Sequence, residues 1–345
     1  MKRLHLITLL ALLFILFSGC NSSTVDEALE VIKDPGDALD LADGVDRKPI
    51  DLQRFGLNAF SNQAFAGSIC NQFSEIKDTL GITAVRVLFN WDDNVQPTPN
   101  SNINFSFYDD ILDCIPAGMT ALVILAETPS WMANSSEWEN GNPRLTFANR
   151  WARVVARRYA GNPKISGYQI WNEPNNAAFP SNARLSVLQD PLNFVELTSF
   201  ASQAIRDEDL TKLIVSGATT SIAQNYPSAL NYNKILVDAG ILTLVDIYAI
   251  HYYGTNFERL VGDVDDFLKT ISLPIWVTES GKTGVNNQLE YAERTLPFLR
   301  ERVGGIDRIF WYRFAEDLPA TESFGLRTPD PDFPVSDLYI YLANL

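Results

Sequence analysis

Two acidic residues stand where apolar runs give way to polar ones. Glu173 lies in Tyr168-Gln169-Ile170-Trp171-Asn172-Glu173-Pro174-Asn175, and Glu279 in Ile275-Trp276-Val277-Thr278-Glu279-Ser280-Gly281. A pair of carboxyl groups can divide the work of breaking a bond if one holds a proton and the other stays ionised. Beside aromatic walls, such a pair suits glycosidic bond cleavage. One carboxyl protonates the leaving oxygen and the other attacks the anomeric carbon. Asn-Glu-Pro alone is a weak signal. Proline drives the residue before it out of the helical region, so many strand exits read this way. Glu279, at a second strand end, makes Glu173 more than a carboxylate in a turn.

Scarcity narrows the other chemistries. The chain has two histidines, and His5 sits in an N-terminal apolar segment, so the folded body holds only His251. With three cysteines in all, no His/Cys zinc cluster can be assembled. A Ser-His-Asp arrangement could use only His251 as its base. No metal and no cofactor are expected. The formal net charge is −15. A surface of that sign repels phosphate backbones and anionic headgroups, which argues against nucleic acid and for a neutral substrate.

Short apolar runs alternate with amphipathic ones from Arg54 onward. Strands are expected at Phe55–Phe60, Ala84–Phe89, Ala121–Ala126, Ser166–Trp171, Leu213–Gly217, Val245–His251, Ile275–Thr278 and Arg308–Tyr312. Most lack alternation, as strands buried on both faces do. Helices are expected near Ile69–Leu80, Phe107–Ala117, Thr146–Tyr159, Pro191–Asp207, Ala229–Ala239, Phe257–Thr270, Gln288–Val303 and Ser336–Leu345. Gly81, Gly118, Gly161 and Gly240 mark C-termini. This is the count of an α/β fold of the (β/α)8 TIM-barrel kind, a single catalytic domain over residues 51–345. An open doubly wound sheet is the alternative. Phe55-Gly56-Leu57-Asn58 lacks the glycines that would cradle a pyrophosphate.

A barrel gathers its strand ends on one face. Arg86 lies on the second strand, with Asn90-Trp91-Asp92 after it. Glu127-Thr128-Pro129-Ser130-Trp131 follows the third, Asn172 and Glu173 the fourth, and His251-Tyr252-Tyr253 the sixth. Glu279 ends the seventh, and Trp311 lies on the eighth. A guanidinium beside Glu279 would keep it ionised. Trp138, in the loop Glu137–Asn142, is a candidate sugar platform further out.

Trp171-Asn172-Glu173-Pro174 after strand four, with Thr278-Glu279-Ser280 after strand seven, resembles the clan A retaining glycoside hydrolases. The resemblance covers residues 54–345 and implies roles. Glu173 would be the acid/base, Glu279 the nucleophile, and Asn172 the ligand of the sugar 2-hydroxyl. Arg86 would flank the nucleophile. His251 and Tyr253 match a His-x-Tyr pattern whose Tyr bonds the nucleophile. Trp311 would form the sugar floor. Within the clan, Thr128-Pro129-Ser130-Trp131 and Ile170–Asn175 look most like family 39 and its exopolysaccharide-degrading relatives, and make Trp131 a further substrate contact. Family 5 is the close competitor; Glu127, where family 5 often has His, argues mildly against it. The implied function is hydrolysis of a polysaccharide or oligosaccharide through a covalent glycosyl-enzyme. The alternatives are a noncatalytic carbohydrate-binding lipoprotein on the same barrel, and a transglycosylase.

The N-terminus reads as an address. Met1-Lys2-Arg3 precedes an apolar run, Leu4 to Phe17, of signal-peptide length. Phe17-Ser18-Gly19-Cys20 resembles a bacterial lipobox, with Phe17 replacing the usual aliphatic residue. That implies a lipoprotein signal over 1–19 and lipidation of Cys20; an ordinary secretory signal is the other reading. Asn21 resembles signals sent to the outer membrane of a Gram-negative cell, so the expected location is its periplasmic or cell-surface face. Residues 20–50 are acidic and read as a tether, with one short helix near Val25–Ile32. The lipid would be the only membrane contact, and the protein is expected to be a monomer. Export would leave Cys70 and Cys114 in an oxidising compartment, where a disulfide is one reading and two buried thiols the other.

Overall fold

The structure, a computed structural model, describes residues 46–254 and 260–345. Cys20, the signal, the helix near Val25–Ile32 and the first residues of the helix expected from Phe257 lie outside them. The compact unit covers Val45–Leu345. Packing begins ahead of residue 51, because Lys48 N–H donates to Glu293 O at 3.0 Å.

Eight strands form: β1 Phe55–Asn58, β2 Ala84–Asn90, β3 Thr120–Ala126, β4 Ile165–Ile170, β5 Leu213–Val215, β6 Tyr248–His251, β7 Ile275–Ser280 and β8 Ile306–Trp311. All ladders are parallel, in the order β5-β4-β3-β2-β1-β8-β7-β6. The ring closes between β5 and β6 through one bridge, Val215 to Ile247. The expected sixth strand is longer than the observed one. Before Tyr248, the Asp246 carboxylate itself accepts the Ile214 N–H (2.8 Å), so a side chain replaces part of the ladder. The barrel is a TIM barrel of one domain, as the strand count requires.

Helices follow the strands, among them α1 Ile69–Ser74, α2 Ser106–Cys114, α3 Arg153–Arg158, α4 Pro191–Glu208, α5 Ser228–Asp238, α6 Asp265–Lys269, α7 Gln288–Arg302 and α8 Asp337–Leu342, with two five-residue helices, Pro143–Phe147 and Pro180–Arg184, in the loops after β3 and β4. The side chains of Ser68, Asp190 and Ser336 accept backbone N–H groups at the starts of α1, α4 and α8. Gly81 and Gly240 take φ of 69° and 85° just after helical segments, where a residue with a Cβ would be strained. Cys70 on α1 and Cys114 on α2 are joined by a disulfide, with Cα atoms 4.5 Å apart.

Inside the barrel, Ala84, Leu122, Val215, Ile247, Ala249, Trp276 and Phe310 pack together. Small residues leave room for the two large rings. At Gly56 on β1, an added Cβ would stand 2.4 Å from the Phe310 ring, so the first strand can carry no side chain there. This apolar plug fills the barrel below the strand ends and leaves polar groups to gather above it.

Candidate active site

Arg86 is the hub. It is fully buried on β2, and each of its polar bonds is to a side chain from a different element. Nε donates to Gln169 Oε1 on β4 (2.7 Å). Nη1 donates to Asn58 Oδ1 on β1 (2.7 Å) and Glu279 Oε1 on β7 (2.6 Å). Nη2 donates to Asn172 Oδ1 after β4 (2.8 Å). Only a planar guanidinium offers donors in that many fixed directions. Asn58 is held in turn, donating to Thr278 O and Trp311 O at 3.0 and 3.1 Å.

Glu279 is aimed by its strand. The β7 register slips against β6 between Ile250 and His251, and against β8 between Val277 and Ser280. Such irregularities re-aim side chains at barrel rims. Tyr253 O–H donates to Glu279 Oε2 at 3.0 Å. Burial first, then the charge of Glu279, pushes the Tyr253 phenol well above its ordinary range, so it remains a donor.

Glu173 is positioned by backbone in an uncommon region. Trp171 and Glu173 have φ of 74° and 45°, and Glu127 at the end of β3 has 65°. Left-handed non-glycine residues are rare and cluster where geometry is enforced from outside. Here Glu173 N–H donates to Ala218 O (2.8 Å), and Asn182 Nδ2 donates to Glu173 O (2.7 Å). This is why β4 stops at Ile170, one residue earlier than expected.

The two carboxylates meet across the mouth. One oxygen of each and a ring nitrogen of His251 all lie within 4.8 Å of one another. His251 is fully buried between them, Nδ1 at 3.1 Å from Glu173 Oε1 and Nε2 at 3.5 Å from Glu279 Oε1. Asn176 Nδ2 donates to Glu173 Oε2 at 2.7 Å. Burial raises the Glu173 carboxyl, but the His251 hydrogen bond and charge, with Asn176 and Arg86, outweigh it and hold the group below its ordinary range. Among the described residues, this trio is the one set of metal-ligating groups close enough to share an ion. The Arg86 guanidinium, already on Glu279 Oε1, would oppose a cation there. With one oxygen of each carboxyl within 4.8 Å of the other, the pair stands on the close side, as the roughly 5–5.5 Å spacing of retaining chemistry asks.

The aromatic residues divide differently from the expectation. Trp311 has no accessible surface, donates to Phe324 O (3.0 Å) and packs on Tyr291. It supports the site from below and offers no open face. Trp131 packs edge-on against Trp91 (5.3 Å), lies under Arg150 and donates to Gln96 O. None of those partners belongs to the polar cluster. The half-buried rings beside Glu279 are Tyr253, Tyr312 and Phe324, with centroids 5.4–6.2 Å apart. Burial, then the Glu279 charge, raises the Tyr312 phenol. Asn58, Gln169, Asn176, Tyr312 and Phe324 were not singled out in the sequence. Asn58 and Gln169 carry a legible sign, an amide inside an apolar strand, which a buried charge would need.

A parallel eight-stranded barrel with paired carboxylates at its C-terminal mouth defines the class, a clan A glycoside hydrolase. The family model described as "Cellulase (glycosyl hydrolase family 5)" matches residues 45–314, and the chain belongs to that family. That family is one of glycoside hydrolases. Thr128–Trp131 and Ile170–Asn175 resemble family 39, whereas the matched family is family 5, within the same clan. Three solved structures are similar. One is a family 39 glycoside hydrolase from Bacteroides cellulosilyticus WH2, at 20% identity and TM-score 0.62, over 86% of this chain and 63% of that one. The second is a monomeric β-xylosidase from Caulobacter crescentus CB15, at 17% and 0.61, over 87% and 69%. The third is endoglucanase Cel5A from Thermotoga maritima, at 16% and 0.60, over 85% and 97%. The chain thus spans less than two-thirds of the first of these. A search of curated proteins found no match.

Proposed function

We propose that the protein hydrolyses O-glycosidic bonds of a neutral polysaccharide or oligosaccharide by double displacement. The observation that supports this most is the short separation of Glu173 and Glu279, with Arg86 fixed on one of them. Glu279 attacks the anomeric carbon while Glu173 gives its proton to the departing oxygen. A glycosyl ester forms on Glu279 Oε. Glu173, now a carboxylate, takes a proton from water, which displaces Glu279 and restores the anomeric configuration. Arg86 and Tyr253 stabilise the ionised form of Glu279 through charge-assisted hydrogen bonds. The Asn172 amide NH2 makes no hydrogen bond among the described residues and is placed for a sugar hydroxyl.

The low position of Glu173 suits the second half-reaction, where it acts as a base, and makes the first depend on acid pH. Glu173→Ala should lose turnover of poor leaving groups yet turn over an activated aryl glycoside, with azide restoring rate and forming the β- or α-azide of retained configuration. A Glu173→Ala protein that neither keeps nor regains activity, from an active parent, would overturn this assignment.

The disulfide supports an exported location, and the lipobox-like Phe17–Cys20 supports anchoring through Cys20. Cys20→Ser should release the protein from membranes into the soluble fraction; a variant that still sediments with them would count against lipidation.

A further inference from the structure

We propose a second carbohydrate-binding site on the barrel rim, outside the carboxylate mouth; it rests on the glycosidase reading above. A cavity of about 160 Å³ lies between the loop leaving β7 and the long segment between β8 and α8. Val285 and Ala320, both buried, form its apolar floor. Asn286, Asn287, Thr321 and Phe333 stand around it, and Phe333 is 46% exposed.

Asn286, Asn287 and Thr321 are exposed, so their side-chain amides and hydroxyl are open to a ligand at the cavity's edge. Gly284, at φ +88°, lets an amide lie across its backbone, since a Cβ there would come within 2.8 Å of Asn287 Nδ2. The cavity therefore joins one open aromatic face to neutral donors and acceptors, with no ionised group in its lining. A sugar ring has that same division, apolar C–H faces and hydroxyl edges. An aromatic or aliphatic peptide would leave the amides unpaired, which costs binding.

Placement connects this pocket to the chemistry. The β7 exit carries Glu279 at its start and Val285–Asn287 further along. The other wall carries Thr321, and three residues on, Phe324 packs on Tyr253 beside Glu279. The Gly284 N–H to Ser323 O bond and the Val285 N–H to Ala320 O bond, both 3.0 Å, zip the two loops together. In this reading a polymer held in the mouth reaches over the joined loops into the pocket, which a short substrate would not.

The test uses the mature protein carrying Glu279→Gln, so that binding is read without turnover. Affinity electrophoresis in gels containing hydroxyethyl cellulose, barley β-glucan, xylan or galactan should show retardation by at least one of them. Adding Phe333→Ala or Asn287→Ala should weaken that retardation about three- to tenfold, the size of one lost ring contact. On the active background, the same two variants should raise KM for the polymer by a similar factor while kcat/KM on an aryl glycoside stays within about twofold. Unchanged retardation and unchanged polymer KM in both folded variants overturn the second site. Retardation lost with Phe333→Ala in a protein inactive on every glycoside supports the pocket and sinks the hydrolase reading instead. Two variants at separate residues guard against misfolding in one.

Discussion

Arg86 and Glu279 form a buried ion pair at 2.6 Å whose other hydrogen bonds run to four more residues, Asn58 on β1, Gln169 on β4, Asn172 after β4 and Tyr253 after β6. The pair is costly to desolvate and repays that cost only while fully bonded. It is therefore a point where stability and reactivity are coupled.

Arg86→Lys keeps the charge but cannot reach Gln169, Asn58, Glu279 and Asn172 together. We expect kcat/KM to fall on the order of 10²–10³, as for loss of one preorganised donor. Arg86→Met strands Glu279 and should also lower unfolding free energy by about 3–5 kcal/mol in urea titration. A Lys variant with full activity would show that charge alone suffices.

His251 sets where Glu173 titrates. Removing its hydrogen bond and charge destabilises the Glu173 carboxylate, so that group's pKa rises. The first half-reaction needs Glu173 protonated, so the alkaline limb of kcat/KM, which reports the free enzyme, should move to higher pH in His251→Gln. A limb that stays put or moves to lower pH would contradict the assignment.

The disulfide closes a sequence separation of 44 residues. Chain entropy alone gives about 4 kcal/mol for a loop of that size. The Cys70→Ser/Cys114→Ser protein should show a correspondingly lower urea midpoint, and reductant should lower that of the wild type but not of the double variant.

Acid sensitivity should trace to a surface cluster. Arg157 and Arg153 hold Glu208 down to about 2, and Arg153 holds Asp207 below its usual range. Depressed carboxyls stabilise the fold above their unfolded pKa, and that contribution fades as pH falls from about 4.5 towards 2. The gap in urea midpoint between wild type and Arg153→Ala/Arg157→Ala should be present at pH 7, shrink with added salt and close near pH 2. A gap that persists at pH 2 would point to lost packing instead.

Much of this was readable because barrel logic is periodic. Counting apolar runs assigns Glu173 to strand four and Glu279 to strand seven, and a closed ring then brings them face to face. Side-chain direction is not periodic at strand ends. Trp311 could be expected at the mouth, yet only the packed loop carrying Phe324 decides that its indole is covered. The left-handed backbone at Trp171 and Glu173 has no sequence signature, since neither is a glycine. Asn176 and Tyr312 belong to no motif, and only the folded loops bring them to the two carboxylates.

The ring's closure adds a mechanical consequence. From β4 to β7 the long way round, through β3, β2, β1 and β8, every join is a strand ladder; the short way crosses the β5–β6 seam, where the Asp246 and Ser216 side chains take over part of the bonding beside Ser216 N–H to Ile247 O (3.0 Å) and Asp246 N–H to Ile214 O (2.8 Å). The carboxylates stand on opposite banks of that seam. His251, rooted in β6 and touching Glu173 on the far bank, works as a strut across it. A change that slackened this seam is therefore expected to reach the chemistry from a distance, by widening the gap between acid and nucleophile.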